Sequence, residues 1–198
     1  MMRWWVAVVF PAVLLGGCAP RNGPTPPPDA CTPPAAGSQL VTLRPQETDQ
    51  WCWAASGKMV MEFLGAPVDQ CRQANERFGL TNCCNNPVPW ACVRPGWPEF
   101  DKYGFTSQKT SSEPLAWNAI RMQIACKKRP FAFSWKWVGN GGHMMVVIGY
   151  ATVAGSNYVT IYDPLPVNVG DQRIISYDAY SSGSGYTHWD DYYDVVKN

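Results

Sequence analysis

Apolar residues are dense from Cys52 to Leu64, where Trp53, Ala54, Ala55, Met59, Val60, Met61, Phe63 and Leu64 crowd together and Gly65 follows as a stop. That run predicts a mostly buried helix, with Asp49 as its N-cap and Cys52 in its first turn. A more polar stretch from Val68 to Phe78, ended by Gly79, predicts a second helix. Ser111-Ser112-Glu113-Pro114 reads as the start of a third, with Pro114 near its first position, and the pattern carries to about Lys127. The character then changes. Phe131 to Val138 alternates and is aromatic, and Met144 to Tyr150 is continuously apolar. Tyr158 to Tyr162, Ile174 to Tyr177 and Tyr192 to Val196 are β-branched and aromatic, and Gly or Pro clusters separate most of these runs. They predict strands of a twisted antiparallel sheet or partial barrel. Helices first and strands second give an α+β domain over residues 39–198, a helical layer packed on a sheet, with any active site between the two.

The segment before that domain reads differently. Arg3 is the one charge ahead of an apolar run from Trp4 to Leu15, as long as a signal-peptide core and too short to span a membrane comfortably. It leads into Leu15-Gly16-Gly17-Cys18, which resembles the lipobox of bacterial lipoproteins. The expectation is a signal peptide over 1–17, cleaved before Cys18, with lipid on Cys18. The alternative is a plain secretory peptide cut after Gly17 or Ala19. Both readings export the protein, and the first anchors it to a membrane of the bacterial cell envelope. Residues 18–38 are rich in proline, cannot build a helix or an interior strand, and read as an extended tether. No other segment could span a membrane, and there is no internal repeat. With 16 Lys+Arg against 15 Asp+Glu, the chain carries no electrostatic footprint for nucleic acid.

Export makes disulfides plausible for the 8 cysteines. With Cys18 assigned to lipid and Cys52 kept as a free thiol, Cys31, Cys71, Cys83, Cys84, Cys92 and Cys126 remain, enough for three bridges. The sequence does not choose among the connectivities, except that the adjacent Cys83 and Cys84 are expected to have separate partners. Residues 79–98 then form a long loop stapled by these bridges. A zinc site at Cys71, Cys83, Cys84 and Cys92 is the competing reading, but the paired spacing usual for structural zinc is absent.

Cys52 is the candidate nucleophile, because the N-terminus of a helix favours thiolate. Gln46, six residues upstream, can donate a hydrogen bond to an oxyanion formed at the thiol's target. Gln50 is the less favoured donor. The chain has 2 histidines. A Gly-rich turn delivers His143 to the start of a buried strand, making it the candidate base, whereas His188 reads as a surface or cleft-edge residue. Asp163 ends the next strand ahead of Pro164. If the two strands form a hairpin, it can accept from His143 and fix its tautomer; Asn140 and Asn157 are the less favoured orienting groups. Trp51 and Trp53 are expected to flank the cleft.

Gln46, Cys52-Trp53-Ala54 with Ser56, Gly142-His143 and Asp163 follow one another in the order found in papain-like cysteine peptidases, and the resemblance spans about residues 40–198. Trp51-Cys52-Trp53-Ala54-Ala55 and Tyr162-Asp163-Pro164 are most similar to the short bacterial branch, which includes secreted effector proteases and bacteriocin-processing peptidase domains. The resemblance implies a papain-like fold, with Cys52 as nucleophile, His143 as base and acid, and Asp163 as orienting group. Gln46 and the Cys52 N–H would form the oxyanion site. It implies a peptide or protein substrate, no cofactor and no catalytic metal, with the chain expected to be a monomer. Other acyl chemistry on the same triad, such as cleavage of peptidoglycan peptides, and a non-catalytic peptide-binding module are the alternatives.

Overall fold

The computed structural model describes residues 31–198; the expected signal peptide, Cys18 and the first part of the tether lie outside the described residues. Helix α1 (Cys52–Phe63) forms over the first apolar run of the domain and buries Trp53–Gly57 and Met59–Met61. Asp49 does not cap it. The N-cap is Trp51, with no side-chain cap bond, because Gln50 takes a left-handed φ of 67° that turns the chain just before the helix begins. Cys52 is still in the first turn. Helix α2 (Gln70–Phe78) matches its prediction within two residues. Helix α3 (Trp117–Arg121) starts three residues after Pro114 and runs straight into a π-helical segment, Met122–Cys126. The late start has a physical reason. Pro114 disfavours helical geometry at Glu113, and the Leu115 N–H is committed to Asp191 Oδ2 at 2.9 Å.

Eight strands pair antiparallel throughout. They are β1 (Ala36–Ser38), β2 (Phe105–Lys109), β3 (Phe131–Trp137), β4 (Gly142–Val153), β5 (Ser156–Asp163), β6 (Asp171–Ser176), β7 (Ser182–Gly183) and β8 (Tyr186–Lys197). A short helix, α4 (Tyr177–Ser181), links β6 to β7. The main order is β2-β8-β3-β4-β5-β6, with β1 on β4 and β7 on β8. β4 is covered on both faces, which is why its sequence is continuously apolar rather than alternating. Met144, Val146 and Ile148 pack in one core with Trp53, Ala54, Met59 and Val60 of α1. Met145 and Val147 face a second core with Ile120, Ile124 and Tyr180. The single helical layer expected from sequence is therefore joined by α3 and α4 on the opposite face.

Three disulfides join Cys31 to Cys126, Cys71 to Cys84 and Cys83 to Cys92. Cys83 and Cys84 do have separate partners, and bonded sulfurs cannot serve as the thiolate ligands of the competing zinc reading. Residues 31–38, read as the end of the tether, belong to the folded body through Cys31 and through β1 pairing with β4. His188 departs further from its expected place. It is 3% exposed, and its Nε2 lies 2.9 Å from Asp191 Oδ2. Asp191, fully buried, also accepts from Tyr180 Oη, Thr110 Oγ1 and the Leu115 N–H. A histidine amid such acceptors satisfies buried polar groups and does not face the cleft.

Candidate active site

The start of α1 meets the start of β4 along a cleft of about 640 Å³. Cys52, Trp53, Gly142, His143 and Met144 line it, with Gln50, Gly96, Trp97, Trp137 and Trp189 around them. Cys52 is the free cysteine among the described residues and is half-buried. As the first helical residue, its N–H has no intrahelical acceptor. Gly142 leaves no room for a side chain: a Cβ there would run into the Trp135 carbonyl and meet the Trp189 ring at 2.9 Å. This close approach sets His143 at the edge of the cleft.

His143 is 7% exposed, and its Nε2 lies 2.5 Å from Asp163 Oδ1. The β4–β5 hairpin makes this pairing. Val146 stands opposite Tyr162, so Asp163 arrives beside the first residues of β4. Cys52 lies close enough to the imidazole to raise its pKa, and with Nε2 on Asp163 the nitrogen left to serve Cys52 is Nδ1. Burial disfavours the imidazolium. The hydrogen bond to Asp163 and the nearby Cys52 outweigh it and hold the His143 pKa up at about 9. Burial pushes Asp163 the other way, up, but His143, the Leu165 N–H and Arg173 together hold it below the usual carboxylate range.

Arg173 is the partner that the sequence does not announce. From β6, one pleat away from Asp163, its Nη2 donates to Asp163 Oδ2. Oδ1 meanwhile takes His143 and the Leu165 N–H, the latter at 2.9 Å. Both carboxylate oxygens are thus engaged. A basic residue in a register position opposite the strand that carries Asp163 is the signal, and it becomes visible only once the β5–β6 pairing is known.

The two glutamines stand differently from expectation. Gln46 is 3% exposed and is not part of the cleft lining; its Nε2 donates to Thr48 O at 2.9 Å and its Oε1 has no partner. Its backbone joins the segment beyond Asp163, through Gln46 N to Pro164 O at 3.0 Å and Asn168 N to Gln46 O at 2.9 Å. Gln50 does line the cleft. Trp53 lines it as expected, with its indole N–H on Arg94 O. Trp51 does not: it is wholly buried, with its indole N–H on Cys92 O at 2.8 Å. Asn140 lies on the cleft and Asn157 bonds Thr152; neither takes the place of Asp163 at His143.

A thiol, an imidazole and a carboxylate in line are now placed on a helix and a sheet, and a family model described as the Peptidase_C39 like family matches residues 38–194. The chain belongs to the Peptidase_C39-like family. Its fold is papain-like. The structure of digestive procathepsin L 3 of the Tenebrio molitor larval midgut superposes with a TM-score of 0.50 at 13% identity, covering 82% of this chain and 70% of that one. A structure from a study of antibody cross-reactivity between the mite allergens Blo t 1 and Der p 1 gives 0.53 at 12% identity, covering 83% and 72%. No curated protein sequence matches. Family and fold together make this Peptidase_C39-like chain a papain-like cysteine peptidase. The expectation of an α+β papain-like fold, with helices packed on an antiparallel sheet, holds.

Proposed function

We propose that the chain is an exported, lipid-anchored cysteine peptidase that hydrolyses peptide bonds through a thioester on Cys52. The observation that carries this reading is His143, buried between the Cys52 thiol and the Asp163 carboxylate at the edge of the cleft. In this mechanism Cys52 Sγ attacks the scissile carbonyl carbon. The C–N bond breaks as protonated His143 passes its proton to the leaving amine. Neutral His143 then takes a proton from water, whose oxygen attacks the thioester, and the thiolate leaves as the acid product is released. Asp163 holds the imidazole in the orientation that both steps need, and Arg173 holds Asp163. The free Cys52 N–H donates to the oxyanion. Gln46 is the second donor by resemblance, and the place of Gln50 in the cleft makes it the alternative. Anchoring through Cys18 rests on the sequence, and three disulfides support an oxidising compartment.

Labelling tests the chemistry. Mature protein with its disulfides intact should alkylate at Cys52 with iodoacetamide at neutral pH and lose peptidase activity in step. Cys52→Ala and His143→Ala should each lower turnover by at least about 10³-fold. A folded protein whose Cys52 stays unlabelled would sink the reading. Gln46→Ala and Gln50→Ala, compared by kcat, identify the oxyanion donor: the true one costs about 10²-fold, the other far less.

A further inference from the structure

The lining of the cleft contains no Asp or Glu, and besides His143 its one basic residue is Arg77. Beside it lies a shallower recess of about 410 Å³ lined by Arg77, Phe78, Arg94, Pro95 and Glu99. Cleft and recess share Arg77 and Pro95, so they adjoin. Both guanidinium groups are held against aromatic rings. Arg77 lies 5.5 Å from the Trp53 ring centroid and Arg94 lies 4.3 Å from that of Phe78. Stacking fixes the plane of a guanidinium and leaves its edge N–H groups free to donate. Arg77 is held further by Gly96, where an added Cβ would sit 2.5 Å from Arg77 Nε and 2.7 Å from Trp53 Cε2.

Charge is unbalanced here. Glu99 is the one carboxylate of the recess, and it is shared between Arg77 Nη1 and Lys102 Nζ, each at 3.2 Å. Arg94 has no ion-pair partner among the described residues, although it is exposed and held in place. Two arginines thus line the recess with one carboxylate, which Arg77 and Lys102 already engage, in a chain whose overall charge is only +1. Arg94 lines the recess beside the cleft, stacked on Phe78 and exposed, so its charge is available to a ligand.

We propose that this recess is a specificity subsite for an acidic side chain of the substrate, an Asp or Glu on the Gly96 side of Cys52. Arg94 supplies the free charge and Arg77 closes the subsite toward the thiol. The subsite lies close to the reacting bond, since Arg77 stacks on the residue that follows Cys52. The proposal rests on the peptidase reading above.

The test begins with a proteome-derived peptide library digested by wild type, with Cys52→Ala as the blank. The expected result is enrichment of Asp or Glu within about three residues of the cut. A matched pair of peptides, Glu against Gln at the enriched position, should then differ about tenfold in kcat/KM in favour of Glu, a gap that narrows as salt is raised. Arg94→Glu should reverse the preference toward a Lys peptide, and Arg94→Gln should abolish it. Both variants sit on an exposed residue, and their melting temperatures show whether they are folded. A library without acidic enrichment, or an Arg94→Glu protein with the wild-type Glu-to-Gln ratio, overturns the subsite and leaves the peptidase reading standing. A wild type with reactive Cys52 that cuts no peptide overturns both.

Discussion

At the scale of single residues, His143 sets the pH behaviour. Its pKa is raised from 6.5 to about 9 in the folded protein, so its contribution to stability is fully present below pH 6.5 and is lost as pH rises through 9. The charged imidazole beside Cys52 persists over the same range. The alkaline limb of kcat/KM is therefore expected near pH 9. Alkylating Cys52 removes a neighbour whose interactions raise this pKa, so the His143 ring resonances should titrate at lower pH by NMR after alkylation. An unmoved titration would separate His143 from Cys52. Arg173 acts at the other end of the scale. Asp163 has a depressed pKa, so its contribution is present above the unfolded carboxylate range and is lost as pH falls through the folded value. Arg173→Gln removes one of the depressing charges and should move the acid limb up. It should lower kcat about tenfold with little change in KM, since Arg173 does not line the cleft, and Arg173→Lys should restore part of the loss. The sequence made Cys52, His143 and Asp163 legible because each carries its chemistry in its local motif. Arg173 was not legible, because its meaning lies in cross-strand register. Gln46 and Gln50 were hard to rank because spacing along the chain does not reveal which amide the Gln50 turn, at φ 67°, brings to the cleft.

At the scale of elements, apolar pattern located α1 and β3 to β5 well, the Gly79 stop located α2, and polar pattern hid β8. Residues 186–197 form one strand, yet only Tyr192 to Val196 stood out, because Thr187, His188, Asp190 and Asp191 do not read as core. They are tolerated there because they satisfy one another and their neighbours. Asp191 joins β8 to α4 through Tyr180 and to the loop before α3 through Leu115, and it accounts for the late start of α3. Asp191→Ala would strand a buried tyrosine hydroxyl, a histidine N–H and a backbone N–H, and a loss of about 3–5 kcal/mol of stability is expected. Chemical denaturation should show that loss, while kcat per folded molecule, measured below the denaturation midpoint, should stay within about threefold of wild type. A large fall in kcat with unchanged stability would instead give the His188–Asp191 pair a part in the reaction. The loop over 79–98 is held on the same logic. Trp51 and Trp53 each fasten an indole N–H to a backbone carbonyl of its last third, and Cys83–Cys92 closes it, so the wall of the cleft that carries Gly96 is fixed to the helix that carries Cys52.

At the scale of the whole molecule, the sequence foretold the composition of the layers but placed the border of the domain too late. Proline content marks a segment that cannot form helix, and residues 31–38 obey that, yet they are drawn into the body by two contacts that no local pattern displays. β1 hydrogen-bonds to β4, and Cys31 bonds to Cys126, 95 residues away, at the end of the π-helical segment. Arg121 adds a hydrogen bond to Pro33 O at 2.6 Å, and Tyr150 Oη donates to Pro34 O at 2.9 Å. A bridge across so long a stretch restrains the unfolded chain strongly, about 4–5 kcal/mol on the chain-entropy account and about 2–5 in practice. For a domain of this size each kcal/mol corresponds to about 2–4 °C. Replacing Cys31 and Cys126 together by Ser should therefore lower the melting temperature by roughly 5–15 °C. Labelling at Cys52 in the folded variant should be unchanged, because neither cysteine touches the cleft. The same double variant tests what holds residues 31–38 to the body. Without the bridge, β1 keeps only its pairing with β4 and the hydrogen bonds of Arg121 and Tyr150, and thermal fraying can expose it. Limited proteolysis should then cut within 31–38 in the Ser variant and spare those residues in the wild type. Equal cutting in both would mean that β1 and the hydrogen bonds of Arg121 and Tyr150 hold the segment without help from the disulfide.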